Sequence, residues 1–400
     1  MELYLQFGYG MKDHCKYLLS KWGKGTVILS PRDLDPDKNQ LIRFSQEFHK
    51  CNGSVLVDPQ LFNPRANHHT LTKHTYWPAD YVTGLWTGGA ALNSLLEEIK
   101  LLNSKANSVG YIIPGLYCER VDDDWLAVQE TIIDASLRIM NDKERFATLC
   151  LSAESLRFED QIETIINRTE EWDIAGYYIV PEHPGNQYLV EDPLWLANLL
   201  ILSSGLKLQG KKVIVGYSSH QMLCLATTNI DAIASGSWLN VRSFSLNKFH
   251  DSEDNDTSRR AKWYYCPQAL SEYKIPFLDL AYRAKILGQM APDRQFLSNT
   301  SDILFSGAQP STVTYSEGDS FRHYLTCLQY QCTHSKRSTF RETVDAQTIM
   351  LETAERFIKN FHRHGVRGQD RDFFNIIDVN RAAITMLEEA RGFVLERTWE

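Results

Sequence analysis

The stretch Lys211–Phe244, KKVIVGYSSHQMLCLATTNIDAIASGSWLNVRSF, decides the fold. An apolar strand (Val213 to Val215) runs into a polar turn (Tyr217 to His220). A short helix (Met222 to Thr227) then leads to a second apolar strand entering Ser235-Gly236-Ser237-Trp238. Apolar β-branched runs joined by short helices are the pattern of parallel strands buried on both faces. Polar residues gather just after each strand, on the side where parallel α/β folds place their ligands.

The same unit recurs toward the N-terminus. Strand-like runs are Leu3 to Phe7, Thr26 to Leu29, Ser54 to Val57, Val109 to Ile113, Phe146 to Leu151, Ala175 to Val180, Val213 to Val215 and Ala232 to Ser235. Helical periodicity marks Lys38 to His49, Gly89 to Ser104, Trp125 to Met140, Phe158 to Arg168 and Pro193 to Ser203. Such alternation, repeated eight times, predicts a closed (β/α)8 TIM-type barrel over residues 1–245. The third unit carries an insert, Asn63 to Leu85, rich in His, Tyr and Trp, as loops on the active face of barrels often do. After Phe244 the composition changes. A charged loop at 246–262, containing HDSEDNDTSRR, precedes a C-terminal helical region at 263–400. Its expected helices are Pro267 to Leu287, Ser320 to Cys332, Phe340 to Phe361 and Phe373 to Leu395.

Composition narrows the function classes. A formal charge of −8 over 400 residues argues against a broadly basic surface that coats nucleic acid. The N-terminus MELYLQFGYG lacks a signal-peptide pattern, and no apolar run is long enough to span a bilayer. The eight cysteines lie in apolar segments and helices, which suits reduced thiols and a cytoplasmic protein without membrane contact.

In a barrel the residues just past each strand converge on one mouth. They include Tyr9, Arg32, Asp58, Gln60, Tyr117, Glu154, Glu182, His183, Tyr217 and His220, then Ser237, Trp238, Asn240 and Arg242. Asp58, in VLVDPQ, follows a β-branched run and precedes a proline, so its carboxylate is expected at the mouth as a base, nucleophile or ligand-binding group. The alternative is an acceptor for loop N–H groups. Glu182-His183 pairs a carboxylate with a group titrating near neutrality, although neighbours on an extended segment point apart. His220 either acts at the mouth or sits in a turn that caps the next helix. Ser237, Trp238, Asn240 and Arg242 form a recognition strip, with Arg for phosphate or carboxylate and Trp for stacking.

Metal signals are weak. Cys327, Cys332 and His334, with Cys266 or His323 as a fourth, are the candidate zinc ligands, but Cys327 and Cys332 are spaced to point apart on a helix, and buried structural thiols are the simpler reading. His68, His69 and His74 form a second histidine cluster. No cofactor is expected from motifs, because no Walker loop, GxGxxG, HExxH or GxSxG is present. The basic run Lys359 to Arg371 could touch phosphates or be a solvated helix end.

The later strands resemble the tRNA-guanine transglycosylase superfamily, including its deazaguanine DNA-modification and anti-phage defence branch. The resemblance rests on IAGYYIVPEHPGNQYLVEDP, on VIVGYSSHQMLCLATTNIDAIASGSWLNVRSF and on Asp58 at the end of the third strand. It implies binding of a guanine or 7-deazaguanine-type base, with tRNA or DNA as partner and a glycosyltransferase activity. Asp58, Glu182 and His183 would supply acid–base groups. Tyr9, Gln60, Glu154, Tyr217, His220, Ser237, Trp238, Asn240 and Arg242 would contact the ligand. The chain departs from the family where the nucleophilic Asp of strand eight would stand. Ala234, Ser235 and Gly236 occupy that place, Asp231 comes earlier, and the tight C-x-C-x-x-C zinc pattern is missing. Without the carboxylate, base exchange through a glycosyl ester lacks its nucleophile. Two alternatives therefore stand beside the first. One is an inactive transglycosylase-like subunit that binds a protein partner from the same operon through the insert and the helical region. The other is a metal-dependent barrel hydrolase using the histidine cluster.

Overall fold

The computed structural model describes residues 1–78, 83–250, 261–296 and 298–399. Eight parallel strands form the barrel: β1 (Glu2–Gln6), β2 (Gly25–Leu29), β3 (Gly53–Val57), β4 (Gly110–Ile113), then, after the two-residue β5 (Tyr117–Cys118), β6 (Glu144–Leu151), β7 (Gly176–Pro181), β8 (Lys212–Val215) and β9 (Ala232–Ser235). They are laddered in the order β3-β2-β1-β9-β8-β7-β6-β4, and β5 extends the β6 edge. Between β4 and β3 a single bond, Val109 N to Val55 O at 3.0 Å, brings the two ends of the sheet together. The result is a nearly closed (β/α)8 barrel, as the eight apolar runs predict.

Helices cover the outside. They are α1 (Lys12–Trp22), α2 (Gln40–His49), α3 (Ala90–Ala106), α4 (Asp123–Ile139), α5 (Glu159–Thr169) and α6 (Pro193–Leu208). Asp192 caps α6 by accepting from Leu194 N and Trp195 N, and Pro193 occupies its first turn. Every residue of α6 from Trp195 to Leu206 is buried. A helix apolar all round must be covered on both sides, and α6 lies between the barrel and the last helix of the chain. After β8 the short helix of the sequence reading is a 3-10 segment, His220–Thr228. The helix α1 adds to those read from periodicity.

The C-terminal region differs from its expected form in one place. Residues 267–287 do not make one helix: an antiparallel hairpin, β10 (Trp263–Cys266) with β11 (Ser271–Lys274), precedes the short α7 (Ile275–Arg283). The aromatic strand WYYC, a Pro-led turn and SEYK carry strand-like alternation that outweighs the helical spacing. The remaining helices, α8 (Glu317–Ser335), α9 (Phe340–Arg363) and α10 (Phe374–Thr398), follow the periodic segments. A capping box between Ser316 and Asp319 starts α8, which packs against β1, β10 and α1. In the insert, Tyr76, Trp77, Leu85 and Trp86 turn into the core, so these large groups pack inward. Part of the insert, 79–82, and the charged loop from 251 to 260 lie outside the described residues. Among the described residues no helix is long and apolar enough to cross a membrane.

Candidate functional site

The mouth residues separate into three groups. The first surrounds Asp58, at the end of β3. Its carboxyl is fully buried, with Gln60 N donating to Oδ1 at 3.0 Å and Tyr217 Oη donating to Oδ2 at 3.3 Å. The Tyr178 hydroxyl stands 3.3 Å from Oδ2 and 3.0 Å from Gln6 Oε1, one proton facing two acceptors. Gln60 in turn donates to Tyr217 Oη at 2.9 Å and accepts from Arg32 N at 2.9 Å. Burial pushes the Asp58 carboxyl from 3.8 up to about 7, against the opposing pull of these donors. Gln60 and Tyr217 both hold left-handed backbone, at φ 55° and 51°, which costs energy for residues with a Cβ. Gly216 makes the cluster geometrically feasible: a Cβ there would stand 2.6 Å from Tyr178 Oη.

The second group holds Glu182 and His183, beyond β7. Glu182 accepts from the Tyr117 hydroxyl and from Ala153 N at 3.3 Å. His183 turns the other way: Nδ1 meets Gln187 O at 2.9 Å, the ring lies edge-on to Trp195, and burial lowers its pKa to about 4. The neighbours therefore point apart, as extended backbone requires. Glu154 lies away from both, exposed and 3.8 Å from Arg157.

The third group forms a cavity of about 510 Å3 at the ends of β1 and β9. Tyr9, Ser237, Trp238, Asn240 and Arg242 line it together, all five from the ligand-contact set read in the sequence. The C-terminal region supplies the opposite wall with Trp263, Glu272, Ser320, Phe321 and Arg371. Trp238 packs edge-on against Phe321 at 4.8 Å and donates Nε1–H to Tyr9 O at 2.9 Å. The Arg371 guanidinium lies 3.9 Å from the Trp263 ring centroid. Ser237 Oγ and Asn240 Oδ1, on two residues that line the cavity, are buried atoms with no hydrogen-bond partner.

Beneath the cavity runs a buried ionic network. Arg371 Nη1 donates to Glu272 Oε2 at 2.8 Å, and Arg242 Nη1 stands 3.4 Å from Glu272 Oε1. Arg242 Nε donates to Gly236 O at 2.7 Å, and its guanidinium stacks 3.5 Å from the centre of Tyr324. Tyr188 donates to Glu272 Oε1 at 2.7 Å. Burial would raise the Glu272 carboxyl, but Arg371 and Arg242 overcome it and hold it down at about 2. His220 packs among Tyr188, Tyr265, Tyr324 and Phe373, where burial lowers its pKa to about 4.

Sequence reading missed Glu272, which falls within the helix expected over Pro267 to Leu287, and Trp263, which precedes that segment and carries no motif signal. Arg371 stood at the end of the basic run, a signal without a location. Asp231, the carboxylate nearest to the expected nucleophile position, sits at the opposite end of β9. Its Oδ2 accepts from Val213 N at 2.7 Å and from Lys207 Nζ at 2.9 Å. The candidate zinc ligands do not converge. Cys327 lies 3.7 Å from His323 Nδ1, Cys266 is near Met290 O, and His334 stacks on Tyr330. His74 is turned inward to Pro31 O and Leu34 O, away from a shared site with the stacked His68 and His69. Among the described residues no three His, Cys, Asp or Glu side chains group to hold a metal ion.

No protein-family model and no curated protein matches the chain. Solved structures similar to it include a Thermobacillus composti GH10 xylanase (9% identity, TM-score 0.35, covering 58% of this chain and 83% of that one). The catalytic domain of a Pyrococcus furiosus chitinase is similar at 11% identity and TM-score 0.33, over 58% of this chain and 82% of that one. A Rhizobium etli pyruvate carboxylase follows at 10% and 0.37, over 98% of this chain and 32% of that one. At such identities and scores these likenesses carry nothing about chemistry.

Proposed function

We propose that the cavity at the ends of β1 and β9 binds a planar, polar base of the guanine or 7-deazaguanine type, and that the chain acts as a transglycosylase-like protein in nucleic-acid base modification or a related defence pathway. One observation carries the reading: Tyr9, Ser237, Trp238, Asn240 and Arg242 line a single cavity of about 510 Å3, within the usual range for small-ligand sites. Trp238, Trp263 and Phe321 supply flat apolar surface, while Ser237 and Asn240, which also line it, carry buried Oγ and Oδ1 atoms with no hydrogen-bond partner. Asp58 does not line this cavity, so the reading gives it no contact with the bound base.

The test is thermal unfolding with guanine, a 7-deazaguanine base and its carboxylated and amidated forms. A ligand at ~100 times its Kd stabilises the native state by about 2.7 kcal/mol. The expected result is a rise in Tm with one of these bases that Trp238→Ala abolishes while its own fold is retained. No rise with any of them, or an equal rise in Trp238→Ala, overturns the reading. A second reading, an inactive subunit that binds a protein partner, is favoured by the place of Asp231, whose carboxylate is engaged at the far end of β9. It predicts a stoichiometric protein co-purifying with the chain and no base-dependent shift.

A further inference from the structure

A second cavity, of about 780 Å3, adjoins the first, and Asn240 lines both. Arg32, Lys248, His68, His69 and His250 line it with Asn240, and its one carboxylate is Asp33. Arg32 is buried at 4% exposure, and its charge is directed to Asp33, with Nη2 at 3.3 Å from Oδ2. Its other arm donates to Lys248 O at 3.1 Å, and its guanidinium lies 4.9 Å from the centre of the Phe249 ring.

Lys248 has no such balance. Its ammonium donates to two neutral oxygens of one residue, Ser243 O at 2.8 Å and Ser243 Oγ at 3.2 Å. An ammonium carries three donors, so one N–H remains. Among the described residues no carboxylate pairs with it. Burial, and secondarily the Arg32 charge, lower its pKa from 10.5 to about 8, the expected response of a cation short of an anion. Buried charges are otherwise paired or bound to a ligand.

We propose that this cavity is a phosphate-binding site in which Lys248 supplies the principal charge. The inference goes beyond the base reading and does not need it: among the described residues Lys248 has no carboxylate partner whether or not the aromatic cavity holds a base. The shared wall at Asn240 also means that one nucleotide could place its base and its phosphate in the two cavities.

The experiment follows thermal unfolding and calorimetric binding of inorganic phosphate, and separately of guanosine monophosphate, to the full chain, with chloride at equal ionic strength as the reference. Lys248→Met removes the charge and keeps an apolar stem. Loss of a half-buried cation with no carboxylate partner among the described residues should leave this variant at least as stable as the native chain without phosphate. The expected result is a saturable phosphate-dependent rise in Tm in the native chain that Lys248→Met removes. Phosphate also stabilises proteins non-specifically by exclusion from their surfaces, and that effect would be equal in both proteins. An equal rise in the two, or none above the chloride reference, overturns the proposal. Binding of guanosine monophosphate but not of inorganic phosphate, persisting in Lys248→Met, would also overturn it while leaving the base reading intact. Phosphate binding without any effect of a free base would support it while the base reading fails.

Discussion

Replacing Asp58 by Asn should stabilise the protein, and more so at alkaline pH. The reasoning starts from a carboxyl with no exposed surface, pushed by burial from 3.8 to about 7. A folded pKa above the unfolded one means that the native state holds the proton more tightly. Stability is then fully present below the unfolded pKa and is lost as pH rises through the folded one. Between 3.8 and about 7 each unit costs about 1.4 kcal/mol, so at neutral pH and above the ionised Asp58 costs the fold about 4 kcal/mol. Asn has nearly the same shape. Its Oδ1 can accept from Gln60 N, and its amide can donate to Tyr178 or Tyr217, whose hydroxyls also accept. The gain should therefore grow by roughly 2 kcal/mol between about pH 5.5 and about pH 8. Urea unfolding of both proteins at the two pH values measures it, with the slope in denaturant as a check that the same surface is exposed. An equal effect at the two values, or a loss of stability at the higher one, would refute the claim that an unfavourable buried carboxylate sits at the barrel centre. A gain would suit a residue kept for chemistry, since such groups are commonly held against stability.

Other perturbations probe the remaining groups. Glu272→Gln leaves Arg242 and Arg371 facing no buried carboxylate, and should cost about 3–5 kcal/mol in denaturant unfolding; a cost below ~1 kcal/mol would mean that water balances the arginines. His183, His220 and His323 are each held down to about 4 by burial, below their ordinary 6.5. The unfolded chain therefore binds protons first, and stability should fall steeply as pH drops from about 6.5 toward 4. A flat stability profile over that window by circular dichroism would contradict it. Gly216→Ala drives a Cβ to 2.6 Å from Tyr178 Oη and 2.7 Å from its ring carbons, and should destabilise by about 1–3 kcal/mol. An unaltered Tm would show that the Tyr178 ring is free to move.

The barrel was legible because its strands are marked locally. Val55-Leu56-Val57, Ile179-Val180 and Val213-Ile214-Val215 are apolar without alternation, and all are buried. The expected runs fall within a few residues of the observed strands. The grouping of Ser237, Trp238, Asn240 and Arg242 was legible too, since the four follow one strand and line one cavity. What escaped was long-range. Glu272 pairs with Arg371 across 99 residues, and Tyr178 reaches Asp58 across 120. No periodicity encodes such pairings. The hairpin β10–β11 was hidden because Pro267 to Leu287 also fits helical spacing, and tertiary cover by α8 and α9 decided between the two. The Asp58 environment was half legible: VLVDPQ placed the carboxyl at a strand end, yet its two tyrosines, one on β7 and one just past β8, lie more than a hundred residues away.

The C-terminal third has a larger part than an appendage would. Trp263, Glu272, Ser320, Phe321 and Arg371 make one wall of the aromatic cavity, and Glu272 balances the barrel's own Arg242. The wall of that cavity is thus incomplete without residues that follow the barrel in the chain. The formal charge of −8 describes the whole chain and not this region. The two adjoining cavities bring Arg32, Lys248, Arg242 and Arg371 against Asp33, Glu272 and Glu317, a local excess of one cation. Arg32 faces Asp33 and the other two arginines share Glu272, while Lys248 has no carboxylate partner among the described residues. An acidic chain can hold an anionic ligand in such a recess, where low dielectric strengthens the attraction.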